Sequence, residues 1–107
     1  MATNDETEAY WTHYRLSQGD RRERLLSDDY FWAWEDVDFA VTDGPVDEAV
    51  KLLDSLLRAP SADPCYVGAG PLENLLRYRP AEAATVVATL VRQEPLWREA
   101  FACAHPG

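Results

Sequence analysis

Eight carboxylates stand between Leu25 and Val50, with no lysine or arginine among them: Asp28, Asp29, Glu35, Asp36, Asp38, Asp43, Asp47 and Glu48. Side chains of this type can hold a cation, exchange a proton or meet a basic partner. Tyr30, Phe31, Trp32, Trp34 and Phe39 are interleaved with them. Acids alone describe a solvated tail, and aromatics alone describe a core. The mixture describes a folded element that presents a negative, aromatic surface.

Cation and catalytic chemistry find little else to work with. Glu35-Asp36-Val37-Asp38 lacks the glycine and the spacing of a calcium loop. A carboxylate-only magnesium site from Asp28, Glu35 and Asp36 is the remaining metal option, because magnesium needs only one or two carboxylates. His13 and His105 stand alone near opposite ends. No G-x-S-x-G is present, and the nearest histidine to a cysteine is His105, two residues after Cys103. No catalytic residue, metal or cofactor is assigned, and the chain is read as a non-enzyme. Cys65 and Cys103 belong to no C-x-x-C and make no disulfide framework. They are expected to be reduced and partly buried, with a single bridge between them as the alternative.

The length of 107 residues implies one domain, 1–107, with flexible ends at 1–5 and 104–107. The apolar fraction of 47% and aromatic fraction of 11% argue for a folded core. The net charge is −9, and it is unevenly placed. Through Glu48 there are 13 acids against 4 arginines; from Ala49 onward 6 acids face 6 bases. Such a field repels nucleic acid and anionic membrane and steers basic partners, unless it serves solubility alone. Arg21, Arg22 and Arg24, and the pair Arg77 and Arg79, make only small basic spots. The first residues show no basic n-region or apolar h-region, and no apolar run approaches membrane-spanning length. The expected location is cytoplasmic.

Six helical segments must position these residues. The first runs from about Asp5 to Ser17, packing through Ala9, Tyr10, Trp11 and Tyr14, and ends at Gly19 and Asp20. The second runs from about Arg22 into Val41, with a break near Ser27 and Asp28, either of which suits an internal N-cap. The third, Pro45 to Arg58, carries Val46, Ala49, Val50, Leu53, Leu56 and Leu57 at the helical period. Proline then marks further starts: Pro71 to Tyr78, Pro80 to Arg92, and Pro95 to Cys103. Asp47, Glu73 and Glu82 follow three of these prolines at the third helical position, where a carboxylate suits the helix dipole and can reach back to the cap. The fifth helix packs through Ala83, Val86, Val87, Leu90 and Val91, the sixth through Leu96, Trp97, Ala100 and Phe101. The β-branched run Thr85–Val91 resembles a strand, but its flanks suit a helix. The expected fold is all-α: a compact irregular bundle of five to six helices, stacked as helical hairpins.

At about 100° per residue the acidic segment divides into two sides. Tyr30, Ala33, Trp34, Val37, Ala40 and Val41 share a core side. Trp32 and Phe39 lie opposite, nearly in line, with Asp28, Glu35, Asp36 and Asp43 around them; Phe31 and Asp38 sit at an edge. Two readings compete. The helix is central and both aromatics are core, or both are exposed anchors inside an acidic rim. Burial of unpaired carboxylates opposes the first, although Arg15, Arg21, Arg22 and Arg24 are near enough in sequence to supply partners.

The segment Val67-Gly68-Ala69-Gly70-Pro71-Leu72-Glu73 is read as a tight turn into a helix, with Gly70 as N-cap and Glu73 closing it. A phosphate loop lacks its Lys-Ser/Thr, and Glu73 adds negative charge at that end. Phe31-Trp32-Ala33-Trp34-Glu35 followed by Val67 to Leu76 resembles a family of small bacterial proteins of unknown function, in which a W-A-W-E helix precedes a G-A-G-P-L-E helix start. The resemblance spans roughly residues 8 to 103. It implies a stand-alone bacterial domain with Gly68, Gly70, Pro71 and Glu73 in its signature, and it brings no activity.

Two functions follow as expectations. One is an acidic protein-binding domain, such as a bacterial immunity protein or antitoxin-like inhibitor. Asp28, Trp32, Glu35, Asp36, Phe39 and Asp43 would meet a basic partner, a toxin for example, with no nucleic acid and no membrane involved. The other is a helical scaffold or small-molecule-binding module whose pocket lies between the second and fourth helices.

Overall fold

In the computed structural model, which describes residues 4–104, the chain runs as α1 (Asn4–Ser17), α2 (Arg21–Ser27), a 3-10 turn (Asp28–Tyr30), α3 (Phe31–Thr42) and α4 (Val46–Arg58). It continues as α5 (Pro64–Val67), a π turn (Gly68–Leu72), α6 (Glu73–Tyr78), α7 (Pro80–Gln93) and α8 (Pro95–Phe101). The described residues are all-α and contain no strand, so the Thr85–Val91 run is helical as expected. The expected flexible ends lie outside the described residues except for Asn4, Asp5 and Ala104, the first two of which belong to α1.

Local chemistry sets most boundaries. Asp20 caps α2: its carboxylate accepts from Glu23 N–H at 2.9 Å, and Asp20 N–H donates to Glu23 Oε1 at 3.3 Å. This reciprocal pair satisfies two donors that the helix start leaves unpaired. Pro80 and Pro95 open α7 and α8, where the missing amide costs nothing. The break between α2 and α3 is made without the anticipated cap. Ser27 keeps helical dihedrals, and its hydroxyl donates back to Arg24 O at 2.6 Å. The 3-10 turn shifts the phase, which explains why Tyr30, expected in the core, is 37% exposed.

The fourth expected helix needs the larger correction. It begins seven residues earlier, at Pro64, with Asp63 as its cap: Cys65 and Tyr66 N–H donate to Asp63 Oδ1 at 3.1 and 3.3 Å. Asp before Pro was the readable signal. Pro71 is therefore inside a helical run rather than at its start, and Gly70 is not an N-cap. Proline has no N–H to donate four residues back, and the turn loosens into π geometry around it, with Glu73 N–H donating to Gly68 O five residues away. The Glu73 carboxylate pairs with Arg77 at 3.2 Å, and Glu82 pairs with Arg79 at 2.8 Å.

The core gathers on α4, whose Ala49, Leu52, Leu53, Leu56 and Leu57 are buried. Tyr10 and Trp11 of α1, Ala33, Val37 and Val41 of α3, Val67, Leu72 and Leu75 around the π turn, Ala83 and Val87 of α7, and Trp97 and Ala100 of α8 complete it. Two indoles tie it together: Trp11 Nε1 donates to Leu56 O at 3.0 Å, and Trp97 Nε1 donates to Asp54 Oδ1 at 2.9 Å. Val86 and Phe101, expected inside, are exposed.

Cys65 and Cys103 are joined by a disulfide, with 5.3 Å between their Cα atoms, and so are not the reduced pair expected. The packing of α5 and the π turn against α8 brings them together. A Cβ on Gly68 would lie 1.7 Å from Ala100 O, so Gly68 serves a close helix crossing rather than a tight turn.

A candidate binding face on α3

The rows of α3 separate cleanly. Ala33, Val37 and Val41 are buried, Trp34 and Ala40 are half-buried against the core, and the opposite side faces solvent. Trp32 is 46% exposed and Phe39 64%. Asp28, Glu35, Asp36 and Asp43 are exposed around them, and none is in an ion pair among the described residues. Arg15, Arg21, Arg22 and Arg24 do not neutralise them; Arg24 instead donates to Gly19 O at 2.9 Å. The helix is therefore not buried all round, and the two aromatics are not core.

Neighbouring elements extend the face. Phe31 stacks on Trp34, with ring centroids 5.3 Å apart and planes 11° apart, and also lies 5.5 Å from the His13 ring. Leu25 and Leu26 of α2 are exposed beside the 3-10 turn. Glu6 approaches from α1: its carboxyl is held above its ordinary range, first by burial and then by the Asp36 charge. Burial holds His13 below the ordinary imidazole value, against the pull of Asp28. The acidic strip thus has a contribution from α1 that sequence order hid, because Glu6 and His13 sit a full helix away from Asp36 and Asp28.

Beside this face, between α1, α3 and the π turn, lies a cleft of about 30 Å³ lined by Tyr10, Trp34, Val37, Asp38, Gly70, Pro71 and Asn74. A wider groove shares Asp38 and Asn74 with it and continues past Thr42 and Asp43 to Tyr78. This is a pocket between the second and fourth expected helices, but it is built on Trp34 rather than on Trp32 or Phe39. Among the described residues no group of three or more His, Cys, Asp or Glu side chains is placed to hold a metal ion, which leaves Asp28, Glu35 and Asp36 as separate surface charges. His105 lies outside the described residues. No helix among them is long and apolar enough to cross a membrane.

Comparison with family models, with curated proteins and with solved structures finds no match for the chain.

Proposed function

We propose that this chain is an acidic protein-binding domain, an immunity protein or antitoxin-like inhibitor, whose α3 face covers a basic site on another protein. The observation that carries the reading is the exposure of Trp32 and Phe39 at the centre of unpaired carboxylates. Large aromatics left in water cost burial energy that a partner recovers, and they are the commonest anchors of interfaces. The acids around them set orientation and speed encounter with a positive surface. Solubility alone accounts for the acids but not for the aromatics among them.

In this reading the domain carries no reaction of its own and needs no cofactor. A bacterial origin and a cytoplasmic location belong to the proposal. The Cys65–Cys103 bridge is the observation that weighs against that compartment, because disulfides persist mainly where conditions are oxidising.

The test has two stages. Affinity purification from the native host identifies a partner, and stopped-flow association is then measured for the wild type and for Glu35→Lys with Asp36→Lys. Slower association and a flatter salt dependence are expected for the variant. Unchanged association kinetics sink the proposal.

A further inference from the structure

The Tyr10 hydroxyl has no hydrogen-bond partner among the described residues, although the side chain is only 1% exposed. A buried hydroxyl left unpaired is costly, and a native fold that keeps one usually has a use for it. Tyr10 lines the cleft of about 30 Å³ beside Trp34, Asp38, Gly70 and Asn74. We propose that this cleft binds a primary alkylammonium group, with the alkyl stem lying in the groove toward Tyr78.

Size, donor count and charge agree on that ligand. The volume suits one water-sized group, and an ammonium is a compact point charge, whereas a guanidinium is a broad planar fork. An ammonium has three donors and no acceptor. Tyr10, Asp38 and Asn74, which line the cleft, carry a phenol, a carboxylate and an amide, and the Trp34 indole beside them is a π system of the kind that attracts cations. The Asp38 carboxylate is in no ion pair among the described residues, so it is available for a ligand's charge. An anion would meet that carboxylate unfavourably.

The π turn keeps the site open. A Cβ added at Gly70 meets no atom within 4 Å, and departures of a helix into π geometry are frequent at functional sites. The groove adjoins the Trp32–Phe39 face at Asp43 but is lined by neither aromatic, so its test does not depend on the function proposed for that face. Its ligand has two sources, a lysine side chain of a protein or a free alkylamine.

Proton–nitrogen correlation spectra of the intact chain, recorded at fixed ionic strength, test the assignment. The added probes are n-butylammonium, n-butylguanidinium, tetramethylammonium and a terminally blocked lysine peptide. Saturable shifts at Gly70, Asn74 and the Trp34 indole are expected with butylammonium and the lysine peptide, and not with the other two. Tyr10→Phe removes only the unpartnered hydroxyl, so it should fold at least as well and bind roughly tenfold more weakly. Asp38→Asn should weaken binding similarly, while Trp32→Ala and Phe39→Ala retain it. Tighter binding of the peptide than of butylammonium marks a protein lysine as the source; equal or weaker binding marks a free amine. Non-saturating shifts, as for a cleft that takes only water, overturn the proposal. So does an equal response to all the cations, or undiminished binding in both Tyr10→Phe and Asp38→Asn.

Discussion

Gly68 and Ala100 are in backbone contact: the carbonyl oxygen of Ala100 occupies the place where any side chain at Gly68 would begin, 1.7 Å from an ideal Cβ. Three residues before Gly68 stands Cys65, and three after Ala100 stands Cys103. One close crossing therefore explains both the required glycine and the disulfide one helical turn away.

Gly68→Ala should destabilise the fold by roughly 2–4 kcal/mol, because a backbone rather than a flexible side chain must move. Gly70→Ala is the control. Its Cβ meets nothing within 4 Å, and no glycine among the described residues has positive φ, so it should be neutral or stabilising by about 0.5–1 kcal/mol. Urea midpoints of the two variants check the contrast, and equal losses would remove the crossing as the explanation of Gly68.

Replacing both cysteines by serine frees a loop with a sequence separation of 38 residues. Chain entropy then puts the loss at about 4 kcal/mol at most. Reductant should lower the denaturation midpoint of the wild type and leave the double variant where it is. A wild type indifferent to reductant contradicts the bridge.

Trp32→Ala and Phe39→Ala should each shift stability by no more than about 0.5–1 kcal/mol, since Phe39 is mostly in water and Trp32 nearly half so. Trp97→Ala should cost about 3–5 kcal/mol, because that ring is fully buried and its indole N–H is bonded to Asp54. Calorimetric melting separates the two classes. Acrylamide should quench Trp32 far more than Trp97, as single-tryptophan variants will show.

His13 should make stability fall on the acid side. Its folded pKa is lowered from 6.5, chiefly by burial, so the unfolded chain takes up the proton first. The neutral ring's contribution is full above about pH 6.5 and is lost as pH falls through that value toward the folded one. Its Nδ1 has no partner among the described residues, so His13→Gln should flatten the profile between neutral and mildly acid pH. A variant profile parallel to that of the wild type refutes this account.

Much of the architecture was readable from local rules. The period of Ala49, Leu53, Leu56 and Leu57 identified α4, and the prolines at 80 and 95 identified the starts of α7 and α8, because both signals act within one turn of helix. The same reasoning failed at Pro71. A proline tolerated in mid-helix needs a π turn, and that turn is held in place by packing that no local rule contains. Tyr30 was misplaced for a related reason: a 3-10 turn advances the chain differently from an α-helix, so the angular count ceased to apply before Phe31.

The charge on α3 and the opposition of Trp32 and Phe39 to Val37 are properties of composition and helical period, and they needed only the chain. Exposure depends on which neighbours arrive, and it was packing that left the Trp32 side bare while α1, α4 and α6 closed over the other. The Tyr10–Asp38–Asn74 cleft and the Gly68–Ala100 crossing bring together residues far apart in sequence. Their chemistry is set by relative helix placement, a long-range quantity on which residue spacing within one segment has no hold.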